Sequence, residues 1–489
     1  MNQWCTVWSG RRRFTPAVAA CPRGTSVIRV LVAAAGITVQ VACSNLAGPE
    51  YERPETAAKP AWTDEAAIDV SAAETVRPDW WRNFDDTYLD GLIDTAISEN
   101  IDIKVLAARS EVAGAAISQA EALRLPTVGA AAGANLQSSS GLGTTTQYSA
   151  AASLNWELDI WGKFKKGVQA QEAGFLATEA DWRAGYLSMV SDVSTTYFRI
   201  RQFDEQIAQQ QAAINKNRQI LLIYGAMLRE GLIPETRLMQ QQAEVGRLQN
   251  ELLELKRVRQ LSENAVSTLL GIPAGEFDVP PGSLRNEVQL MAVPGGLPSA
   301  LLSRRPDIIA AEFRVLQAHE LVGQARLARL PSITLTARGG NSSLELTDLL
   351  ASWTVGFLPK IDIPIFDPNV RAQLKVNEAR TRLAEEEYKL TVIKAFEEVE
   401  NALVNLASHR AQKAELEMQQ ENLRIVSQQV QRQLKEGMVS QLEWFESERS
   451  LLRAEQELLQ NHQLILSDTV ELYKALGGGW PPFTVAVPG

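Results

Sequence analysis

Tyr148-Ser149-Ala150-Ala151-Ala152-Ser153-Leu154-Asn155-Trp156-Glu157-Leu158-Asp159-Ile160 alternates without a break. Tyr148, Ala150, Ala152, Leu154, Trp156, Leu158 and Ile160 fall on one face, and Ser149, Ala151, Ser153, Asn155, Glu157 and Asp159 on the other. Period two is the mark of a strand with two unlike faces. A sandwich in water satisfies it, and so does a transmembrane barrel with its apolar face in lipid and its polar face on a wet lumen. Past the joint Trp161-Gly162-Lys163 the period changes. No proline occurs from Lys163 to Arg229, and Tyr186, Val193, Ile200, Ile207, Ile214, Leu221 and Leu228 recur every seventh residue. Sustained heptads predict coiled-coil packing, and such a helix is about 100 Å long at 1.5 Å per residue. Polar companions such as Gln210 and Asn217 narrow its seam, which suits a helix with one face on neighbours and another on solvent.

The same order of signals occurs twice. Asn100-Ile101-Asp102-Ile103 opens a helix-like stretch ending in Arg124-Leu125-Pro126, and Arg305-Pro306-Asp307-Ile308 opens one ending in Arg329-Leu330-Pro331, at an offset of 205. Glu230-Gly231 then matches Glu436-Gly437, and Gly271 matches Gly477, at 206. A period this long marks a duplicated architectural unit, not a solenoid repeat. The second copy has strands of its own. Ile333, Leu335 and Ala337 oppose Thr334, Thr336 and Arg338. Trp353, Val355, Phe357, Ile361, Ile363 and Ile365 oppose Thr354, Gly356, Lys360 and Asp362. Ser138 to Gln147 and Gly339 to Asp348 read as polar hairpin loops. In the last helix Trp444, Leu451, Leu458, Ile465 and Leu472 repeat the heptad, and each helical hairpin turns at a glycine, Gly231-Leu232-Ile233-Pro234 and Gly437-Met438-Val439. Pro234 suits a first-turn helical position.

Composition narrows the class. A net charge of −10 gives no reason to expect nucleic-acid binding. His319, His409 and His462 are scattered on helical stretches and read as surface residues, with no metal-ligand spacing. Glu385-Glu386-Glu387 and Glu397-Glu398-Val399-Glu400 read as solvated helix faces. Neither a Walker motif nor a nucleophile elbow is present, and Gly477-Gly478-Gly479 reads as a helix stop, so no enzyme is expected. Nothing after Cys43 can form a disulfide, the other cysteines being Cys5 and Cys21. Val30 to Ala42, preceded by Arg23 and Arg29, has the length of a signal-peptide core and is too short to span a bilayer. It ends in Val41-Ala42-Cys43-Ser44, the pattern of lipoprotein processing, although Gln40 stands where such motifs carry Leu. The first 25 residues, with Trp4, Trp8 and Arg11-Arg12-Arg13, read as an over-long start or an extended n-region.

Four strands per chain are too few for a membrane barrel, because single-chain barrels have at least eight and fewer leave edges exposed. If the strands lie in a membrane, several copies must share one barrel, and the same symmetry wraps the long helices into a tube.

The residues at this point resemble a known family, the TolC-like outer-membrane factors, most closely the OprM/NodT-type lipoproteins of efflux systems. The likeness runs from Cys43 to Trp480. Its markers are Cys43 with Gly48-Pro49-Glu50-Tyr51-Glu52-Arg53-Pro54, then Trp80-Trp81 with Phe84, Asn100 with Asp102, Arg304-Arg305-Pro306-Asp307-Ile308, the two Leu-Pro turns, Trp156-Glu157-Leu158-Asp159-Ile160-Trp161-Gly162, and Pro364-Ile365-Phe366-Asp367. The resemblance implies an α+β membrane protein, a homotrimer whose long helices form a periplasmic α-barrel and whose strands share a 12-stranded transmembrane β-barrel. It implies a covalent lipid at Cys43 and no other cofactor. Its implied partners are outer membrane lipid, a periplasmic adapter (membrane fusion) protein and an inner-membrane RND-type pump. The family's periplasmic constriction falls on Leu442, its acidic gate position on Glu446, here Glu for the usual Asp, and its basic partner on Arg449. The first-copy equivalents Thr236, Gln240 and Ala243 carry no charge. Adapter docking falls on the tips, Gly231, Leu232 and Ile233 with Gly437, Met438 and Val439.

The expected organisation is a signal peptide (1–42), a lipid-anchored arm and equatorial segment (43–86), equatorial and first helices (87–126), barrel strands one and two (127–161) and a first helical hairpin (162–271). An equatorial linker (272–304), a repeat helix (305–331), strands three and four (332–366), a second hairpin (367–477) and a tail (478–489) follow. The expected function is a passive outer-membrane exit duct for small molecules in a tripartite efflux system, gated at its periplasmic tip. The rivals are a type I protein-secretion duct of the same fold and a periplasmic coiled-coil scaffold that forms no channel.

Overall fold

Copy for copy, the two halves of the chain fold into the same succession of elements. The computed structural model describes residues 48, 50–56, 59, 61–63, 79–139, 143–287, 301–349, 351 and 353–478. Cys43, the signal segment and the tail after residue 478 lie outside these. A turn of 3-10 helix at Trp80–Phe84 and helix α1 (Thr87–Glu99) lead into the first copy. That copy is α2 (Ile101–Ala122), β1 (Thr127–Ser139), β2 (Gly143–Leu158), α3 (Lys163–Arg229) and α4 (Glu235–Leu269). The second is α5 (Pro306–Leu327), β3 (Ser332–Ser343), β4 (Thr354–Asp362), α6 (Pro368–Lys435) and α7 (Gln441–Ala475). Helix lengths match as 22 with 22, 67 with 68 and 35 with 35 residues. The extra residue therefore lies inside α6. Among the described residues no helix is long and apolar enough to cross a membrane.

The strands form one antiparallel meander, β1-β2-β3-β4. Its register joins the alternations of all four strands. Val128 lies opposite Leu154, Leu154 opposite Ala337 and Ala337 opposite Phe357, and Trp156 lies opposite Leu335. One face is thus apolar from edge to edge. The other carries Asn135, Gln147, Ser153, Asn155, Thr336, Arg338 and Lys360.

The strands differ from expectation at their ends. The expected polar loops are largely strand, since Asn135 through Ser138 pair with Gln147 through Thr144, and Gly339 through Ser343 pair with Ala152 through Tyr148. Serine and threonine fit a ladder that has left the apolar layer as well as alanine does. Conversely, β2 stops at Leu158 and β4 at Asp362, short of Ile160 and Ile365. Asp159 is needed elsewhere, accepting the N–H groups of Phe164 and Lys165 at 3.0 and 2.8 Å to cap α3. Pro364 ends β4's ladder, and Asp367 caps α6 through Asn369 and Val370.

The main core lies where α1, α3, α6 and α7 meet. Trp80 stacks on Tyr473 with ring centres 5.0 Å apart, and Phe84 meets Phe198 edge-on at 5.1 Å. Arg201 donates to Tyr197 Oη, Asp204 and the Pro280 carbonyl, while Arg259 bridges Asp204, Glu263 and the Val279 carbonyl. These buried charges fix the equatorial linker against α3 and α4. The N-terminal arm crosses α5, where Arg53 grips buried Glu312 at 2.7 and 2.5 Å, and then α6, where Trp62 is buried against Phe396 and Thr63 donates to Glu400. Two expectations are corrected here. Glu398 and Glu400 are not merely solvated, since Glu398 accepts from Arg305 at 2.6 Å. The histidines are half-buried rather than freely exposed: His409 pairs with Asp468 at 2.6 Å, His319 lies against Tyr51, and burial lowers the pKa of His462.

Candidate functional site

Two features of this fold have no role inside a single chain, the uncovered sheet and the hairpin tips. The sheet packs chiefly against itself, and Val128, Leu136, Val355, Phe357 and Ile361 are all exposed. Both its edges, β1 and β4, are open.

Each tip is built from the glycine outward. Gly231 and Gly437 take φ of +72° and +75°, a region that side-chained residues avoid. In each, the glycine N–H returns to the carbonyl three residues back, and the next N–H returns to the one five back: Gly231 to Leu228 and Leu232 to Met227, Gly437 to Leu434 and Met438 to Gln433. This double closure ends α3 and α6 in the same way. Pro234 is the N-cap of α4, one residue before the helix, not inside its first turn. Ser440 caps α7, accepting the Glu443 N–H at 3.3 Å and meeting its carboxylate at 3.0 Å. The Ser-x-x-Glu spacing that signals such a cap is legible in the sequence, although the carboxylate here meets the hydroxyl and not the Ser440 N–H.

The six tip residues divide. Leu232 and Met438 are 67% and 63% exposed, beside the exposed Gly231 and Gly437. Ile233 is buried at 7%, and Val439 is half-buried. Ile233 therefore belongs to the packing of its own turn.

On α7 the three positions expected to form a gate, Leu442, Glu446 and Arg449, line up along one side. Leu442 is 62% exposed. Arg449 lies 3.3 Å from Glu446 and also 3.7 Å from Glu244 of α4. This second partner was not foreseen. Around it α7 is tied to the first hairpin twice more. Gln441 donates to Gln241 at 2.9 Å, and Gln241 donates to the Asn217 carbonyl and side chain, all three being buried. Lys216 of α3 reaches Glu448 at 2.5 Å, and Ser427 of α6 donates to the same carboxylate. The first-copy positions Thr236, Gln240 and Ala243 are exposed. One hairpin thus carries the charges and the other holds them in place. Behind this layer, burial pushes the Glu455 carboxyl above the ordinary carboxylate range, with Glu448 adding to the effect.

A family model described as outer membrane efflux protein matches the chain twice, over residues 92–272 and 297–478, once on each copy. The chain belongs to the outer membrane efflux protein family. Among curated relatives, the "Probable outer membrane lipoprotein SilC" of Salmonella typhimurium is 30% identical over 467 residues, covering 92% of this chain and 98% of its own. The cation efflux system protein CusC of Escherichia coli O6:H1 is 30% identical over 455 residues, covering 88% and 95%. Among solved structures, the open state of the MtrE outer membrane channel of Neisseria gonorrhoeae superposes with a TM-score of 0.79 at 28% identity, covering 88% of this chain and 98% of that one. This efflux protein accordingly resides in the outer membrane, is mostly helical and contributes four strands per chain.

Proposed function

We propose that three copies of this efflux protein close into a passive exit duct, a 12-stranded barrel in the outer membrane continued by a helical tube in the periplasm. The observation that carries this reading is the sheet. It has an apolar face, a polar face, no covering layer and two open edges, and an edge β4 meets an edge β1 only in another copy. Strands of 13, 16, 12 and 9 residues suffice for a tilted crossing, which takes about 9–11.

The helices support the same closure. Helix α5 packs between α3 and α6, whereas its repeat partner α2 packs on α3 and leaves Ile101, Val105 and Val112 exposed. Helix α6 in turn exposes Val376, Leu383 and Leu390 at heptad spacing. An α2 from one copy laid against α6 of the next reproduces the α5–α3 packing and covers both stripes. Three copies agree with the family.

Cys43 carries the lipid in this reading. The exposed tips at Gly231, Leu232, Gly437 and Met438 meet a periplasmic adapter, which links the duct to an inner-membrane pump of the RND type. Leu442 with Glu446 and Arg449 narrows the periplasmic end, and tip docking releases it. Single-channel recording in planar bilayers tests the gate. Leu442→Ala and Glu446→Ala are expected to raise the conducting fraction several-fold, and conductance identical to wild type in both would refute it. The scaffold alternative predicts no heat-resistant trimer in outer-membrane extracts.

A further inference from the structure

The four strands carry four charged residues, Glu157, Arg338, Lys360 and Asp362, and β1 carries none. Three of the four lie near the end of the sheet that joins the helices, and there they are neutralised. Lys163 sits 2.5 Å from Glu157, and Lys360 sits 2.7 Å from Asp362. Arg338 is different. It stands in the middle of β3 on the polar face, opposite Ser153 of β2 and Gly356 of β4. It is exposed, and no hydrogen bond or ion pair holds it among the described residues. Glu157, on the same face, is opposite Thr334, four residues along β3. That is about 13 Å at 3.3 Å per residue, beyond the Debye length of about 8 Å, and Glu157 is already paired. At Gly356 a Cβ would meet nothing within 4 Å, so the space over the strand beside Arg338 is open. Closing the ring supplies no counter-charge either, because the strand brought to the β4 edge is the charge-free β1.

We infer that Arg338 sets the charge preference of the barrel lumen. One guanidinium from each copy makes an unpaired cationic girdle at mid-height, favouring solutes that bear carboxylate, phosphate or sulfonate groups and opposing cations. Rings of basic side chains act in this way in anion pores. The inference rests on the barrel reading above, and it agrees with it, since an unpaired arginine at membrane depth needs a water-filled face. Glu345 and Asp348, in the β3–β4 connection, are seven and ten residues further along. At roughly 20 Å or more they are screened from Arg338.

The chain's cysteines, Cys5, Cys21 and Cys43, all precede the body, so a reporter thiol can be placed opposite the arginine as Ser153→Cys. Outer-membrane vesicles holding the full chain are treated from outside with an anionic sulfonatoethyl or a cationic trimethylammonioethyl methanethiosulfonate, with the chain lacking the reporter as background. The ratio of the two rates is divided by the same ratio in urea-denatured protein. With Arg338 present the anionic reagent is expected to be favoured on the order of tenfold. The preference should fall to about one in Arg338→Gln and persist in Arg338→Lys, with heat-resistant trimers confirming assembly of each. Equal ratios with Arg338 and with Arg338→Gln overturn the inference and leave the barrel standing. A thiol that reacts with neither reagent until the protein is denatured faces no water, and removes the barrel reading and the girdle together.

Discussion

Gly271 and Gly477 show how closely the duplication is kept at single residues. They end α4 and α7 with φ of +70° and +93°, and both crowd the start of their own copy. A Cβ on Gly271 would lie 2.6 Å from the Glu99 carbonyl oxygen, and one on Gly477 would lie 3.0 Å from that of Arg304. Beside them, Asn100 donates to the Leu269 carbonyl at 2.7 Å, and Arg305, its repeat equivalent, donates to the Ala475 carbonyl at 3.1 Å. Gly477 is legible in the sequence as a helix stop, and Gly271 as its repeat match. Their second role, letting the end of a hairpin touch the start of its own copy, depends on contacts some 170 residues away in sequence and is not. Gly271→Ala must strain the left-handed backbone and displace a main-chain oxygen, so it is expected to cost about 2 kcal/mol or more and to lower the temperature at which the proposed trimer dissociates on gels. Glu455 gives a pH-dependent counterpart. Burial raises its folded pKa above the unfolded value, so the folded state holds its proton more firmly. Stability therefore falls as pH rises from the ordinary carboxylate range through the raised value. Glu455→Gln, neutral at every pH, is expected to raise trimer melting at pH 7.5 and to make no difference at pH 4, where the wild-type carboxyl is protonated too.

Elements are legible in the sequence where a single period governs them, and not where polarity stands in for structure. The heptads of α3 and α7 became helices with Val193, Ile200, Ile214, Trp444, Leu458, Ile465 and Leu472 buried. The polar hairpin ends, by contrast, are strand, because hydrogen bonding of the ladder does not depend on side-chain apolarity. The gate pair also looked different in one dimension. Glu446 and Arg449 are three apart on a helix, which alone is an ordinary surface pair. Only the packing of α7 on the first hairpin shows that Arg449 answers to Glu244 as well, and that Gln441 and Glu448 bind the same neighbour. These contacts run between hairpins as well as along one helix, and the proposed gate would be held by both. Glu244→Gln weakens the tie between hairpins without touching α7, together with Glu244's closer pair with Arg247 of α4 at 2.6 Å, at a cost of roughly 1 kcal/mol per copy for a partly exposed pair. It is expected to raise the open fraction in single-channel recordings by several-fold, as is expected of Glu446→Ala. If Glu446→Ala opens the duct while Glu244→Gln leaves it shut, the constraint lies within α7 alone.

At the scale of the whole molecule, the repeat supplies the geometry of an interface that one chain cannot display. Within the chain, α5 packs on α3, and Arg314 forms an ion pair with Asp181. Moving each residue to its equivalent, 205 positions down from Arg314 and 205 up from Asp181, lands on Arg109 of α2 and Glu386 of α6. The charges survive the translation, and the two are not partners inside one copy: Arg109 is exposed on α2, and Glu386 is 71% exposed, its ion pair being with Lys389 on its own helix. The nearby contact of Gly174 with Gln317 translates in the same way to Ala379 and Val112, both exposed. In the proposed ring of copies, quasi-equivalence puts Arg109 of one copy against Glu386 of the next, and the same step around the axis brings each β4 to a β1. Neither alternation nor heptads reveal this, since both are properties of one segment. It follows only once duplication and packing are combined. Arg109→Cys and Glu386→Cys in one chain, with no competing cysteine after Cys43, should form intermolecular disulfides under mild oxidation and give covalent dimers and trimers on denaturing gels, whereas either cysteine alone should give monomers. Ladders extending beyond three would mean more than three copies in the ring. An exclusively intramolecular disulfide would mean that α2 folds back onto its own α6 and that no second chain completes the wall.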